Sequence, residues 1–432
     1  MNKKLIILFI VVLTHLSCAS LPPSLEEKSL IEFEEIPSDF SHKFHKKSFP
    51  FVGAAVIDYD GDGKKEIFIS GSLGQGDALL SYRKGKLHNI IADTRISHLK
   101  AAYGACAIDI NHNGREDLLV TREDGLYLYL NKGGKFTEKK IPVKFEEDAV
   151  PVAVTVADIN RDGNIDIYLS VFISLDKFRS AVFNDPKHAK RNVLLLGGDN
   201  LTFRDVTQSS GVGGKQNTFL ATFVDLDLDG WPDLVLSQNT GEIEIYRNMK
   251  NSSFSQIDPI VGLGFWMGLA IGDYDNDGDQ DIFSSNAGNS IPSFMVRGDL
   301  RDDQNQDLEW VLLRNEGNFK FTNETQSTGL TGYGFSWGAV FEDLNLDGNL
   351  DLMVAQNYIG WPVHNLFKSD GKVFLQDRNK KLARFYPTKS LGMANPFYGM
   401  TPLVVDFNND NRQDIIWVNL DDSPRAFLNR VV

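Results

Sequence analysis

Oxygen-bearing side chains recur in this chain at the first, third, fifth and ninth positions of a nine-residue pattern. The first copy is Asp58, Asp60, Asp62 and Glu66, followed by Asp109, Asn111, Asn113 and Asp117, then Asp158, Asn160, Asp162 and Asp166. Four more follow: Asp225, Asp227, Asp229 and Asp233; Asp273, Asp275, Asp277 and Asp281; Asp343, Asn345, Asp347 and Asp351; and Asp406, Asn408, Asp410 and Asp414. Acids two apart on a curled loop point into one small volume, where they repel one another unless a hard cation lies between them. Calcium takes six to eight oxygens and suits that geometry, so up to seven structural calcium sites are expected. The sixth place must turn with positive φ; it is Gly in six copies and Asn411 in the last. The ninth-place acid is expected to close the cage. An EF-hand is excluded, because the twelfth place holds Ile69 or Leu236 and not Glu.

The segments that must position these loops are short, apolar and β-branched. Ala54–Ile57 precedes and Ile67–Ser70 follows the first loop, Ala221–Val224 and Leu234–Ser237 flank the fourth, and Leu403–Val405 and Ile415–Val418 flank the seventh. They read as buried strands, with each loop at the tip of a hairpin. A second hairpin follows, seen best in Gly125–Asn131, a Lys/Gly turn and Phe136–Lys140. Four antiparallel strands repeated seven times predict an all-β fold, a seven-bladed β-propeller. The last unit supplies three strands, and Ile31–Ile36 is expected to complete it, closing the ring.

The chain has 432 residues and a formal net charge of −14. The loops alone supply 23 carboxylates, so the acidity belongs to the metal sites and seven divalent ions would neutralise it. The second loop has two carboxylates and is expected to bind most weakly. Cys106 reads as a small buried apolar residue. Cys18 follows Lys3–Lys4 and an apolar run from Leu5 to Leu13, the layout of a secretory signal. Its placement resembles a bacterial lipoprotein signal, which implies residues 1–17 as signal peptide, Cys18 as the lipidated first mature residue and an outer-membrane destination. Residues 18–28 then form a tether and 29–432 the propeller.

The loops, together with Val206–Gly211 and Glu324–Gly329, resemble the FG-GAP/VCBS repeat family, whose propellers include the integrin α-subunit head. Phe265–Gly278 is similar to the bacterial and cartilage-acidic-protein branch. The resemblance implies calcium in the loops and a binding or adhesion role.

Antiparallel alternation puts every metal loop on one face and both kinds of long connection on the other. Residues 172–191 form a basic insertion with Lys177, Arg179 and Lys187; residues 286–309 form an acidic one with Asp299, Asp302 and Asp303; residues 376–395 read as a basic link between blades. A rim of mixed sign suits a protein or glycan partner, and no nucleic-acid motif is present. Trp266, Trp337, Trp361 and Tyr398 lie on or near this face, where they either stack on sugar rings or pack between blades. Arg297-Gly298-Asp299 matches the tripeptide that integrins recognise. No catalytic motif appears, so a binding module is expected; a polysaccharide-active, lyase-like enzyme and an architectural component of an envelope complex are the alternatives.

Overall fold

The computed structural model describes residues 32–214, 216–288, 293–356, 369–377, 383–388 and 392–430. Seven antiparallel sheets with a four-strand path each form the blades of a propeller. Blade 1 runs outward through Ala54–Ile57, Glu66–Ile69, Ala78–Arg83 and Lys86–Asn89. Blade 2 runs from Ala102–Ile108 to Phe136–Ile141, blade 3 from Ala149–Ala157 to Thr202–Asp205, and blade 4 from Asn217–Val224 to Phe254–Gln256. Blade 5 runs from Leu269–Gly272 to Phe321–Asn323 and blade 6 from Ser336–Glu342 to Arg384–Pro387. Blade 7 combines Gly399–Val405, Asp414–Asn419 and Arg425–Asn429 with the amino-terminal strand Phe33–Ile36.

The closure expected from the sequence is present, with Phe33 opposite Asn429 and Ile36 opposite Ala426. Arg425 and Arg430 add ion pairs to Glu35 and Glu34. Nearer the axis, the Thr401 hydroxyl donates to the Val52 carbonyl at 2.8 Å and ties blade 7 to blade 1. After the closing strand, residues 37–51 cross the face that carries the long connections. There His42 N donates to the Asp422 carbonyl, and Asp421 N donates to the buried His42 Nδ1.

The core consists of apolar slabs between neighbouring blades, such as Ile57, Phe68, Val120 and Tyr129 between blades 1 and 2. The innermost strands approach so closely that glycine is required at the contact. A Cβ on Gly104 would lie 2.7 Å from Ala153 Cα, and one on Gly338 would lie 2.7 Å from the Met400 carbonyl oxygen.

Five first strands carry one extra residue near their start: Tyr103, Val152, Phe219, one of Trp337 and Gly338, and Met400. A bulge re-aims its side chain, and all of these residues line the axial pocket. Phe51, Phe219 and Trp337 meet there edge-to-face, with ring centroids 5.3–6.2 Å apart.

One expectation is corrected here. Residues 376–395 are not wholly a link, because Arg384–Pro387 forms the outer strand of blade 6 and pairs with Phe374–Asp377. The strand is four residues long and ends in proline, so its alternation is too brief to read. Cys106 is partly, not fully, buried against the slab between blades 2 and 3, and burial pushes its thiol up to about 11.

Candidate metal centres and ligand face

All seven acidic loops join first and second strands on one face. In six of them the first-place carboxylate accepts two backbone N–H groups, those of the fifth and sixth residues, as when Asp229 N and Gly230 N donate to Asp225 at 3.1 and 2.7 Å. In the first loop Gly61 N and Gly63 N do this for Asp58. The sixth place is left-handed as expected, from φ 66° at Asn411 to 99° at Gly278. The fourth place is left-handed too, at His112, Arg161, Leu228, Asn276, Leu346 and Asn409 as well as Gly61. Sequence reasoning missed this, because six of the seven residues are not glycine. Alternating hand turns successive N–H groups inward as an anion nest, and the first-place carboxylate fills it.

The third, fifth and ninth places then face a common volume to different degrees. Carboxylate oxygens of Asp58, Asp60 and Asp62 lie within 4.8 Å of one another, as do those of Asp225, Asp227 and Asp229, and those of Asp273, Asp275 and Asp281. Asn111 Oδ1 and Asn408 Oδ1, at the third place of the second and seventh loops, are buried with no hydrogen-bond partner. These oxygens fit a cation. Asn113, Asn160, Asp162, Asn345, Asp347 and Asp410 occupy the corresponding loop positions; Asn160, Asn345 and Asn408 donate their amides to the fifth-place Asp of their own loops. In the fourth loop Arg247 reaches Asp227 at 2.7 Å and Lys250 reaches Asp229 at 3.0 Å, offsetting part of the charge.

The ninth-place acid has a structural role of its own. Asp233 is buried; one oxygen accepts from Leu226 N at 3.0 Å and the other from Asn248 N at 2.8 Å, so it braces loop and third strand together. Asp166, Asp281, Asp351 and Asp414 repeat this geometry. Asp117 accepts from Asn131 N, and Glu66, one methylene longer, from the Ser81 hydroxyl. Burial weakens these acids, raising the pKa to about 6 for Asp117 and Asp166 and to about 7 for Glu66, Asp233, Asp281 and Asp414. Asp351 is raised well above the usual carboxylate range by the same burial.

A second set of residues was missed. Asn131, Asn248, Asn315 and Asn429 end the third strands of blades 2, 4, 5 and 7, and Gln376 is the penultimate residue of that of blade 6. Each donates its amide both to its own loop and to the loop of the preceding blade, as Asn248 does to Pro232 O and Ile159 O. In the sequence Asn131 reads as the end of its strand with no role across the seam, and the recurrence of Asn or Gln after five of the seven ninth-place acids was the available signal.

The opposite face carries the insertions, and two of them grip each other. Phe183 N and Asn184 N donate to the Asp299 carboxylate at 2.6 and 3.1 Å, and Asn184 Nδ2 donates to the Asp299 carbonyl at 2.8 Å. Arg301 reaches back to Asn184 Oδ1 at 2.6 Å, and Phe183 packs on Phe265. A Cβ on Gly298 would lie 1.7 Å from the Ala181 carbonyl oxygen. The Arg-Gly-Asp tripeptide is therefore an internal clamp, with its acid occupied. Lys177, Arg179, Arg297 and Arg301 pair with acids of their own segments.

The aromatic residues divide differently from the sugar-stacking expectation. Trp266 is 1% exposed and Trp337 9% exposed; Trp266 donates to the Gly262 carbonyl, and Trp337 belongs to the axial plug. Neither ring has an open face, so both serve packing. Tyr398 is half-buried against the core, next to the more exposed Phe397. Trp361 and Cys18 lie outside the described residues.

A family model for the FG-GAP-like repeat matches residues 58–120, 109–169 and 225–284. Cartilage acidic protein 1 of Homo sapiens is 23% identical over 327 residues, covering 70% of this chain and 47% of the relative. The chain thus spans about half the length of the curated relatives it matches. Among solved structures, the BP39L lectin from Burkholderia pseudomallei superposes with a TM-score of 0.54 at 9% identity, over 88% of this chain and 96% of the lectin. BBS1N in its complex with ARL6DN gives 0.51 at 11% identity, over 94% and 98%. The chain is a seven-bladed β-propeller that matches the FG-GAP-like repeat over residues 58–169 and 225–284 and is similar in sequence to cartilage acidic protein 1.

Proposed function

We propose that this protein is an exported, lipid-anchored calcium-binding propeller that engages a protein or carbohydrate partner through its insertion face. The observation that carries the reading is the division of labour between faces. Seven short acidic loops occupy one, with carboxylate oxygens converging in three of them, and the long insertions of blades 3 and 5 form an interlocked canopy on the other. The first-, third-, fifth- and ninth-place residues would hold the cations, which supply charge neutralisation and crosslink each loop. Loops positioned on a rigid scaffold are where binding residues concentrate. The same fold supports a lectin and a protein complex in the two solved structures named above. The anchor would be Cys18, and an outer-membrane destination follows from that signal.

The test is retention of residues 19–432, in calcium, on a panel of polysaccharides and matrix proteins, with product release recorded alongside. Retention without products, lost when residues 181–188 are replaced by a Gly/Ser linker, supports the reading. Released products would make the protein an enzyme, and retention by no ligand would leave an architectural role.

A further inference from the structure

In six of the seven blades the third strand sends a side chain across the seam to the preceding blade, beside the acidic loops. Five use the Asn or Gln clasp, and blade 1 places Tyr82 against Phe407 of blade 7 with ring centroids 5.7 Å apart. The equivalent residue of blade 3 is Gly197, by its position two past the Ile167–Leu195 pair. It has no side chain to reach the Ile110 carbonyl of blade 2. A Cβ there would lie 2.3 Å from the Ile165 carbonyl oxygen, so the chain has closed in where other blades keep room for a clasp. The seam between blades 2 and 3 instead opens into a cleft of about 510 Å³, with Ile110, Ile165 and Gly197 in its wall.

We propose that this cleft is a binding site for a neutral saccharide, on the face opposite the insertions and independent of any partner held there. The half-buried Leu130, Leu201 and Phe203 give the cleft apolar surface suited to the C–H face of a sugar ring. Asn164 and Asn200 supply carboxamides, each able to donate and accept, as a hydroxyl does. Lys132 and Asp199 bring one charge of each sign, so the lining favours neither an anion nor a cation. His112 Nε2 lies 2.8 Å from the Gly163 carbonyl and joins the two loops that frame the opening. The volume falls within the range of roughly 300–1,000 Å³ usual for small-ligand sites.

The test is saturation-transfer NMR on the full chain in saturating calcium with cellotriose, maltotriose, xylotriose and chitotriose. Saturable transfer to at least one trisaccharide is expected. Lys132→Trp, on an exposed turn, should cap the cleft and weaken that binding tenfold or more at an unchanged melting temperature, while Lys132→Ala stays within twofold. Phe203→Ala should also weaken it tenfold, but Lys132→Trp decides if that variant folds poorly. No saturable transfer from any of the four, or binding unchanged in Lys132→Trp, overturns the proposal.

Discussion

On the metal-loop face, Gly230 finds its partner Asp225 five residues away; on the insertion face, Asn184 finds Asp299 across 115. The first face is one local solution repeated seven times, and the second is assembled from segments that meet only once the ring has closed. Loop-closure entropy makes local contacts inexpensive to form and long-range contacts dependent on the whole fold. The faces should therefore fail separately, under different perturbations.

Removing calcium should have the largest effect. Each filled site adds about 2.7 kcal/mol when free calcium is a hundredfold above its dissociation constant, so EDTA should lower the melting temperature by roughly 10 °C or more. A melt that ignores chelator would end the distinction between the faces.

Next comes the contrast between Asn248→Ala and Asp299→Ala. The first strips two buried amide bonds from the clasp and leaves the Pro232 and Ile159 carbonyls bare, costing about 2–3 kcal/mol in urea unfolding. The second loosens a half-exposed canopy, costing about 1 kcal/mol globally, yet proteolysis within residues 181–188 should rise sharply. Equal global losses with no change in proteolysis would show that the faces are not separable units.

Acid should act on the two faces in opposite senses. The ninth-place acids, raised to about 6–7 by burial, bind protons in the calcium-free folded state that the unfolded chain releases above about 4. The calcium-free metal face therefore gains stability as pH falls from 7 towards 4, while protons displace calcium. The melting-temperature gap with and without EDTA should shrink from pH 7.5 to pH 5.5. The pKa of His42, in the segment 37–51 that crosses the insertion face, is lowered to about 4 by desolvation, which the nearby Asp421 carboxylate only partly offsets. Its folded constant lies below the unfolded 6.5, so its contribution is whole above pH 6.5 and is lost as pH falls towards 4. It amounts to about 3 kcal/mol at most. In calcium, His42→Gln should flatten the acid limb of the stability curve relative to wild type; parallel curves would refute the assignment.

The smallest expected change is Asn411→Gly. Relief of the left-handed strain at φ 66° and the greater unfolded-state entropy of glycine nearly cancel, so urea midpoints should move by less than about 0.5 kcal/mol. Gly278→Ala, at φ 99°, should cost more than about 1 kcal/mol.

Much of the fold was legible in the residues. The strand pairs around each loop, the second hairpin at Gly125–Asn131 and Phe136–Ile141, and the closing strand all stand where period and turn chemistry place them. The candidate site was legible only in its first layer. Nothing local to Asn248 shows its role; the preceding blade supplies the Ile159 carbonyl that its amide meets. Trp337 reads equally as a sugar platform or as core, and the bulge at the start of its strand sends it towards the axis.

By itself the sequence determined the seven loops, their hand at the sixth place and the number of blades, because each rests on contacts within about nine residues and on side-chain periodicity. Only the tertiary structure decided that the Arg-Gly-Asp acid is spent on Phe183 and Asn184, that Trp337 faces the axis, and that Gly197 leaves one seam without a third-strand clasp. Those outcomes depend on which distant surfaces the closed ring brings together, and no local pattern encodes that.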